Sequence, residues 1–351
     1  MELKDRFCDR PWSFFEIQEK DIYNCCPTWV NHVTIGKTTT DLDIDKVWNG
    51  EDAKNFRKSI LDGSFKYCSK ELCPYIKNGS LPTRQEVKDG KIGSVFSTIL
   101  EFGLVEADKP HVINLCYDRS CNLKCPSCRK DFIYYNERLQ KDKYDKLTLI
   151  NESILKYVQS GHKDIELNIT GSGDPFGSKN FFNFLKALNY GRNRELKLTL
   201  QTNGVLFDER RWEDLSNIHK YKNIKVIVSL DAGDEEAYSK TRVGGDWKKV
   251  NENLHFIKEL QNRGNVGWVR LDMVAQNNNF RSIPKFVDIA RTHGFNSYTS
   301  RIVNWGTFTP IEFVQHNVFD PQHPSHNELK EVIKNTPEYD KHDWGNISEL
   351  V

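Results

Sequence analysis

The chain has 351 residues, 38% hydrophobic and 12% aromatic, which excludes a disordered polymer and leaves room for one large domain plus a small module. Lys plus Arg total 50 against 49 Asp plus Glu, so the charge balance offers no cationic footprint for nucleic acid or an anionic membrane. No run approaches the ~18 apolar residues of a membrane span, and the charged start MELKDRF leads into no secretory signal, so a cytoplasmic protein is expected.

Residues 1–80 read as a small Cys-rich α+β module. FFEIQ and DIYNCC flank the turn EKD and predict a hairpin, and VWNGEDAKNFRKSILDG predicts one helix, followed by Cys68 and Cys73. Apolar sequence before residue 75 is too sparse for a large core, and a module that small needs a metal or another staple. The segment around NGSLPTRQ marks a linker, bounded at 81–105. From 106 to 312, β-rich runs at 111–117, 164–170, 196–202, 224–230, 267–275 and 296–304 alternate with amphipathic segments near 143–160, 178–192, 207–219, 245–263 and 280–293. This alternation predicts parallel βαβ units. An open barrel and a doubly wound sheet both fit, and both place chemistry at the carboxyl ends of the strands. Residues 313–351 read as a polar tail, with His316, His323 and His326 as solvated side chains.

The nine cysteines fall in two clusters: 8, 25, 26, 68 and 73, then 116, 121, 125 and 128. In a reducing compartment such clustered thiols read as metal or iron–sulfur ligands rather than disulfides. The motif Cys121-Asn-Leu-Lys-Cys125-Pro-Ser-Cys128 stands in the loop after the first strand of the βα series. Three close thiolates hold three irons of a four-iron cube and leave the fourth iron an open position for a substrate or cosubstrate. Cys116 raises the alternative of a closed four-Cys zinc or iron–sulfur site; it lies within the strand run and reads as a packed strand residue.

The CxxxCxxC spacing followed by a βα repeat resembles the radical S-adenosylmethionine (SAM) superfamily. That resemblance implies a partial (β/α)6 TIM-like barrel, a [4Fe–4S] cluster on Cys121, Cys125 and Cys128, and SAM chelated at the open iron. It further implies reductive cleavage of SAM to a 5′-deoxyadenosyl radical that abstracts a substrate hydrogen, with electrons from a flavodoxin- or ferredoxin-like reductant. Thr170-Gly171-Ser172-Gly173-Asp174-Pro175 follows the second strand where relatives bind the SAM amino group, which makes Gly173 and Asp174 cofactor-binding candidates. Thr202-Asn203-Gly204 resembles the family's TNG turn. Ser229, Arg242 and Gln276, at or after the next strand ends, are expected on the SAM carboxylate, ribose or substrate. Ser127 stands where many relatives carry an aromatic, so adenine packing is expected from elsewhere.

The N-terminal pattern is similar to the SPASM/twitch auxiliary-cluster module, which in most relatives follows the radical SAM domain. The similarity implies a second [4Fe–4S] cluster on Cys8, Cys25, Cys68 and Cys73, with one of Cys25 and Cys26 spare; structural zinc is the alternative. Enzymes with such modules modify peptides or oxidise sugar and cyclitol alcohols. No separate peptide-recognition domain is visible, so a sugar- or cyclitol-like small molecule is expected, with peptide modification as the alternative. From another class, a zinc-stabilised adaptor also accounts for two Cys clusters.

Overall fold

The computed structural model describes residues 2–169, 171–222 and 224–350. Contacts divide the chain into two units, Met1–Asp118 with Asp145–Asn168, and Arg119–Tyr144 with Ile169–Val351.

In the first unit the expected hairpin forms from β1 (Phe14–Gln18) and β2 (Asp21–Tyr23), with Glu16 opposite Tyr23 and Ile17 opposite Ile22. A short β3 (Gly36–Lys37) pairs antiparallel with β2. The single predicted helix is two, α1 (Ile44–Trp48) and α2 (Glu51–Leu61), because Asn49-Gly50 breaks the run. Helix α2 buries Ala53, Phe56 and Ile60, which lie on one face at helical spacing. The expected linker is folded. It contains α3 (Pro74–Lys77), α4 (Arg84–Lys88) and α5 (Ser94–Phe102), and Leu81, Val87 and Ile99 join the core of Phe7, Trp12, Phe56 and Ile60. A core too sparse before residue 75 is thus completed by the residues after it. The missed signal was Thr83-Arg-Gln-Glu86, a capping box in which the Thr83 hydroxyl accepts from the Glu86 N–H while the Glu86 carboxylate accepts from the Thr83 N–H. Arg57, fully buried and pulled down to about 10 by desolvation, donates to the Pro11 and Val105 carbonyls and to Asn49 Oδ1. The unit continues through β4 (Val112–Cys116), which pairs parallel with β1, then α6 (Lys141–Val158) and β5 (Glu166–Ile169).

The second unit runs α7 (Lys179–Ala187), β6 (Lys197–Thr202), α8 (Glu209–Glu213), β7 (Ile224–Ser229), α9 (Glu235–Thr241), α10 (Trp247–Asn262), β8 (Val266–Ala275), α11 (Ile283–His293) and β9 (Asn296–Arg301). Strands β6 to β9 are neighbours in that order and all parallel. Leu198, Leu200, Val226, Val228, Val269 and Leu271 are fully buried, whereas Gln201, Ser229, Arg270 and Asp272 on the alternate face are only half-buried. All six predicted strand runs form, and the class is the expected α/β fold with a parallel sheet built of βα repeats, as in a partial TIM-like barrel. The polar tail is not a free tail. It forms α12 (Pro310–His316), α13 (His326–Lys334) and β10 (His342–Asp343), which pairs parallel with β9, and it buries Leu329, Ile333 and Ile347. Among the described residues no helix is long and apolar enough to cross a membrane.

Candidate functional site

The second unit contains three cysteines, Cys121, Cys125 and Cys128, on the loop that precedes α6. The loop is pinned from several sides: the Cys121 N–H donates to the Ile133 carbonyl, the Lys124 N–H to Val243, and the Cys128 and Arg129 N–H groups to Cys125. Each sulfur meets a nitrogen donor. Asn203 Nδ2 lies 3.6 Å from Cys121 Sγ, Arg242 Nη1 3.6 Å from Cys125 Sγ, and Arg129 Nη2 3.2 Å from Cys128 Sγ. Asn203 comes from the end of β6 and Arg242 from the end of α9, so separate βα repeats aim donors at one loop. Burial pushes the Cys121 thiol up to about 12, with the Asp174 carboxylate adding to it; burial also raises Cys125, against the pull of Arg242.

Asp174 departs from its expected role. Its Oδ1 accepts from the Phe176 and Gly177 N–H groups, both at 2.9 Å, and its Oδ2 from the Thr202 hydroxyl and the Asn203 N–H, both at 2.8 Å. With both oxygens doubly occupied and only 1% exposed, the carboxylate has no lone pair left for an ammonium group. It ties the loop after β5 to the end of β6. Desolvation leaves it above the ordinary carboxylate range although the four bonds pull it down. Thr202 is therefore a partner of Asp174, and Asn203 holds Cys121 and accepts from the Val205 N–H. Gly204 completes the turn at φ +80°, where a Cβ would meet Val228 Cγ1 and Val250 Cγ2 at 3.0 Å.

Arg242 also differs from expectation. Its Nη2 is 2.9 Å from Asp231 Oδ2, and Asp231 Oδ1 accepts from the Val274 N–H. A two-pronged grip on a carboxylate is thereby half taken. Its Nε is buried without a partner, a spare donor for an anionic group. Ser229 accepts from Gln201 Nε2, Gln276 is buried at the end of β8, and Gly173 lies half-buried in the bend before Asp174. Thr170, quoted in the same segment, lies outside the described residues. Asn279 organises this edge: its Nδ2 donates to the Asp231 and Val274 carbonyls and its Oδ1 accepts from the Gln276 N–H. Arg129 was missed in the sequence although it follows Cys128 directly. A basic residue beside a ligand cysteine was its only mark.

In the first unit, Cys8, Cys25, Cys68 and Cys73 line one apolar pocket holding about 350 Å³ of empty space, part of it continuous with solvent. Cys26 is not among the lining residues; its sulfur contacts the Thr28 hydroxyl. The pocket thiols feel one another. Burial and then Cys25 raise Cys8, and burial followed by Cys25 and Cys73 raises Cys68 to about 12. Cys116 is a buried residue of β4 whose nearby ionisable groups are Glu16 and Cys26. In the C-terminal segment, His326 Nδ1 and His323 Nε2 lie 3.1 Å from the Val318 and Gln315 carbonyls, and His316 stacks on Phe308.

The donor sets fit iron–sulfur clusters. Buried thiols that resist ionisation alone become thiolates when they bind metal, and N–H donors at their sulfurs stabilise that charge. Among the described residues no group of three or more His, Cys, Asp or Glu side chains is placed to hold a single metal ion.

Comparison with protein families matches the Radical SAM superfamily over residues 118–316. The chain belongs to the radical SAM superfamily, and with that it is an enzyme that uses SAM and a [4Fe–4S] cluster. Membership sets the zinc-stabilised adaptor aside. Among solved structures, it is similar to SuiB of Streptococcus suis bound to the precursor peptide SuiA, at 15% identity, TM-score 0.44, covering 86% of this chain and 64% of that one. SuiB bound to SAM gives 13% identity and TM-score 0.43, covering 84% and 65%. The radical SAM methyltransferase TsrM of Kitasatospora setae, with tryptophan and aza-SAM bound, gives 13% and 0.35, covering 52% and 34%. The chain spans less than two thirds of the length of the first of these SuiB chains. A comparison with curated proteins finds no match.

Proposed function

We propose that Cys121, Cys125 and Cys128 hold the SAM-binding cluster and that the enzyme oxidises a small polar substrate of sugar or cyclitol type. When bound, that cluster supplies the electron for reductive cleavage of SAM, and the resulting 5′-deoxyadenosyl radical abstracts hydrogen from an unactivated C–H bond. The observation that carries the reading is the set of three cysteines in one loop, each met at sulfur by a side-chain nitrogen from a different place in the sequence: Asn203, Arg242 and Arg129. Arg242 and Arg129 offset thiolate charge, and the spare Nε of Arg242 is the donor left for the SAM carboxylate. Asp174 positions Thr202 and Asn203 and leaves the SAM ammonium to backbone carbonyls around Gly173. Ser229 and Gln276 remain candidates for ribose or carboxylate contacts.

Cys8, Cys25, Cys68 and Cys73 are the proposed ligands of a second, auxiliary cluster in residues 1–80, which assists oxidation or substrate binding. Four cysteines spread over 66 positions line one pocket, and the one outside it is Cys26. The division into auxiliary module, radical SAM core over 106–312 and C-terminal segment follows from those assignments. The reading is supported by the polar, half-buried face carrying Gln201, Arg270 and Asp272, on which Arg270 and Asp272 pair with each other. Uncrosslinked thiols suit the cytoplasm, with flavodoxin or ferredoxin as reductant. Anaerobic protein incubated with SAM and dithionite should form 5′-deoxyadenosine, and deuterium from labelled sugars or cyclitols should enter it. Transfer from labelled peptides alone would move the enzyme to the peptide-modifying alternative. Iron-loaded protein that forms no 5′-deoxyadenosine would refute the cleavage reading.

A further inference from the structure

Arg10 opens a short 3-10 turn (Arg10–Trp12) two residues after Cys8 and lines the pocket shared by Cys8, Cys25, Cys68 and Cys73. Its guanidinium lies 4.0 Å from the centroid of the Phe14 ring and 5.2 Å from that of Trp29. Its Nε is buried and bonded to nothing, and no carboxylate forms an ion pair with it among the described residues. The buried carboxylate that feels its charge, Glu16, accepts instead from Gln18 Nε2 and Asn114 Nδ2. Arg57 in the same unit also has no acid and leaves its Nη2 unpartnered, but its Nε and Nη1 reach two carbonyls and an amide oxygen. Arg10 is half-buried overall, and a buried guanidinium nitrogen with neither anion nor acceptor is unfavourable. Two aromatic faces offset part of that and deny it other partners. The remaining anion source within reach is the pocket itself, and Cys25 and Cys8 are among the groups whose charge acts on Arg10.

We propose that Arg10 is the fixed counter-ion of the four-cysteine centre and sets its reduction potential. The inference rests on the reading of those four cysteines as ligands of the auxiliary cluster. Four thiolates around an iron–sulfur cube give a net negative centre, and reduction adds a further negative charge. A half-buried cation held against the pocket wall stabilises the reduced form more than the oxidised one, so it raises the potential; net charge and hydrogen bonding are the protein's levers on such centres. Aromatic clamping fixes the distance, which a solvated arginine would not do.

The test uses the full chain with Cys121, Cys125 and Cys128 all changed to Ala, reconstituted anaerobically with iron and sulfide, so that a cluster signal comes from the pocket. Iron and sulfide per chain, circular dichroism and an EPR-monitored redox titration are read. The parent is expected to bind one cluster. Arg10→Gln should shift its midpoint to more negative potential, and Arg10→Lys, which keeps the charge, should stay close to the parent. An unchanged midpoint in Arg10→Gln overturns the counter-ion role while the ligand assignment stands. Loss of iron in Arg10→Gln with retention in Arg10→Lys supports it, because charge separates the two; equal loss in both makes Arg10 a packing residue and overturns it. A folded parent that takes up no iron overturns the ligand assignment, and the counter-ion with it.

Discussion

Replacing Asp174 distinguishes a structural tie from a cofactor ligand. Four donors converge on its two oxygens at 2.8–2.9 Å: the N–H groups of Phe176, Gly177 and Asn203 and the Thr202 hydroxyl. In Asp174→Asn the amide keeps the shape but carries one acceptor oxygen. Turned toward Phe176 and Gly177, it presents its NH2 to Thr202, whose hydroxyl rotates to accept, and to the Asn203 N–H, which cannot. One buried N–H is left unsatisfied, a loss of about 2 kcal/mol. Asp174→Ala strands all four donors, and even with water entering the space the loss is about 4 kcal/mol, a large share of the ~5–15 kcal/mol that holds a typical domain. Anaerobic urea denaturation followed by circular dichroism measures both variants, and equilibrium binding measures SAM affinity for the folded fraction. The tie predicts a graded stability loss with SAM affinity of folded Asp174→Asn within a few-fold of wild type. Full stability combined with a hundred-fold weaker SAM affinity would refute it and return Asp174 to the ammonium.

Other substitutions test separate parts of the structure. Cys125→Ala should abolish 5′-deoxyadenosine formation, whereas Cys68→Ala should spare uncoupled SAM cleavage and end substrate turnover. Equal loss of both activities in a folded Cys68→Ala protein would contradict the division of roles. Gly204→Ala forces a Cβ onto a φ of +80° against Val228 and Val250, and should lower stability in the same urea assay by about 1–3 kcal/mol. His293 and His342 are both held near a pKa of about 4 by burial, below their ordinary 6.5. A base kept neutral in the fold protonates more readily unfolded, so their contribution is complete above about pH 6.5 and is lost as pH falls toward 4. Allowing for solvent screening, the pair amounts to roughly 2 kcal/mol. Urea midpoints across that window should fall, and His342→Gln should flatten the dependence.

Where the chain repeats a simple period, reading and structure agree. Most of the β-rich runs became strands because an apolar residue at every second position has one buried destination in the parallel sheet, while β9 buries Ser297 and Thr299 there. The hairpin formed where a polar turn separates two β-prone runs. The short helices at Arg84–Lys88 and Ser94–Phe102 read as linker in the sequence because helices of that length have little stability of their own and persist through burial of Val87 and Ile99. The C-terminal segment looked polar because its apolar residues, among them Val318, Leu329, Ile333 and Ile347, are outnumbered by polar ones and gain a buried destination once folded.

Within the sites, the kinds of atom were legible and their pairing was not. The spacing of Cys121, Cys125 and Cys128 is local, so a loop of eight residues carries it whatever the surroundings. Whether Asp174 faces a ligand or four N–H and O–H donors depends on how closely the loop after β5 approaches the end of β6, 28 residues along the chain. The choice between adjacent Cys25 and Cys26, and the stranding of Arg10 between two aromatic rings, likewise follow from which side chains packing brings within a few ångströms. Composition and period act along the chain, whereas hydrogen bonds and charge act through space, and only the folded backbone converts one distance into the other.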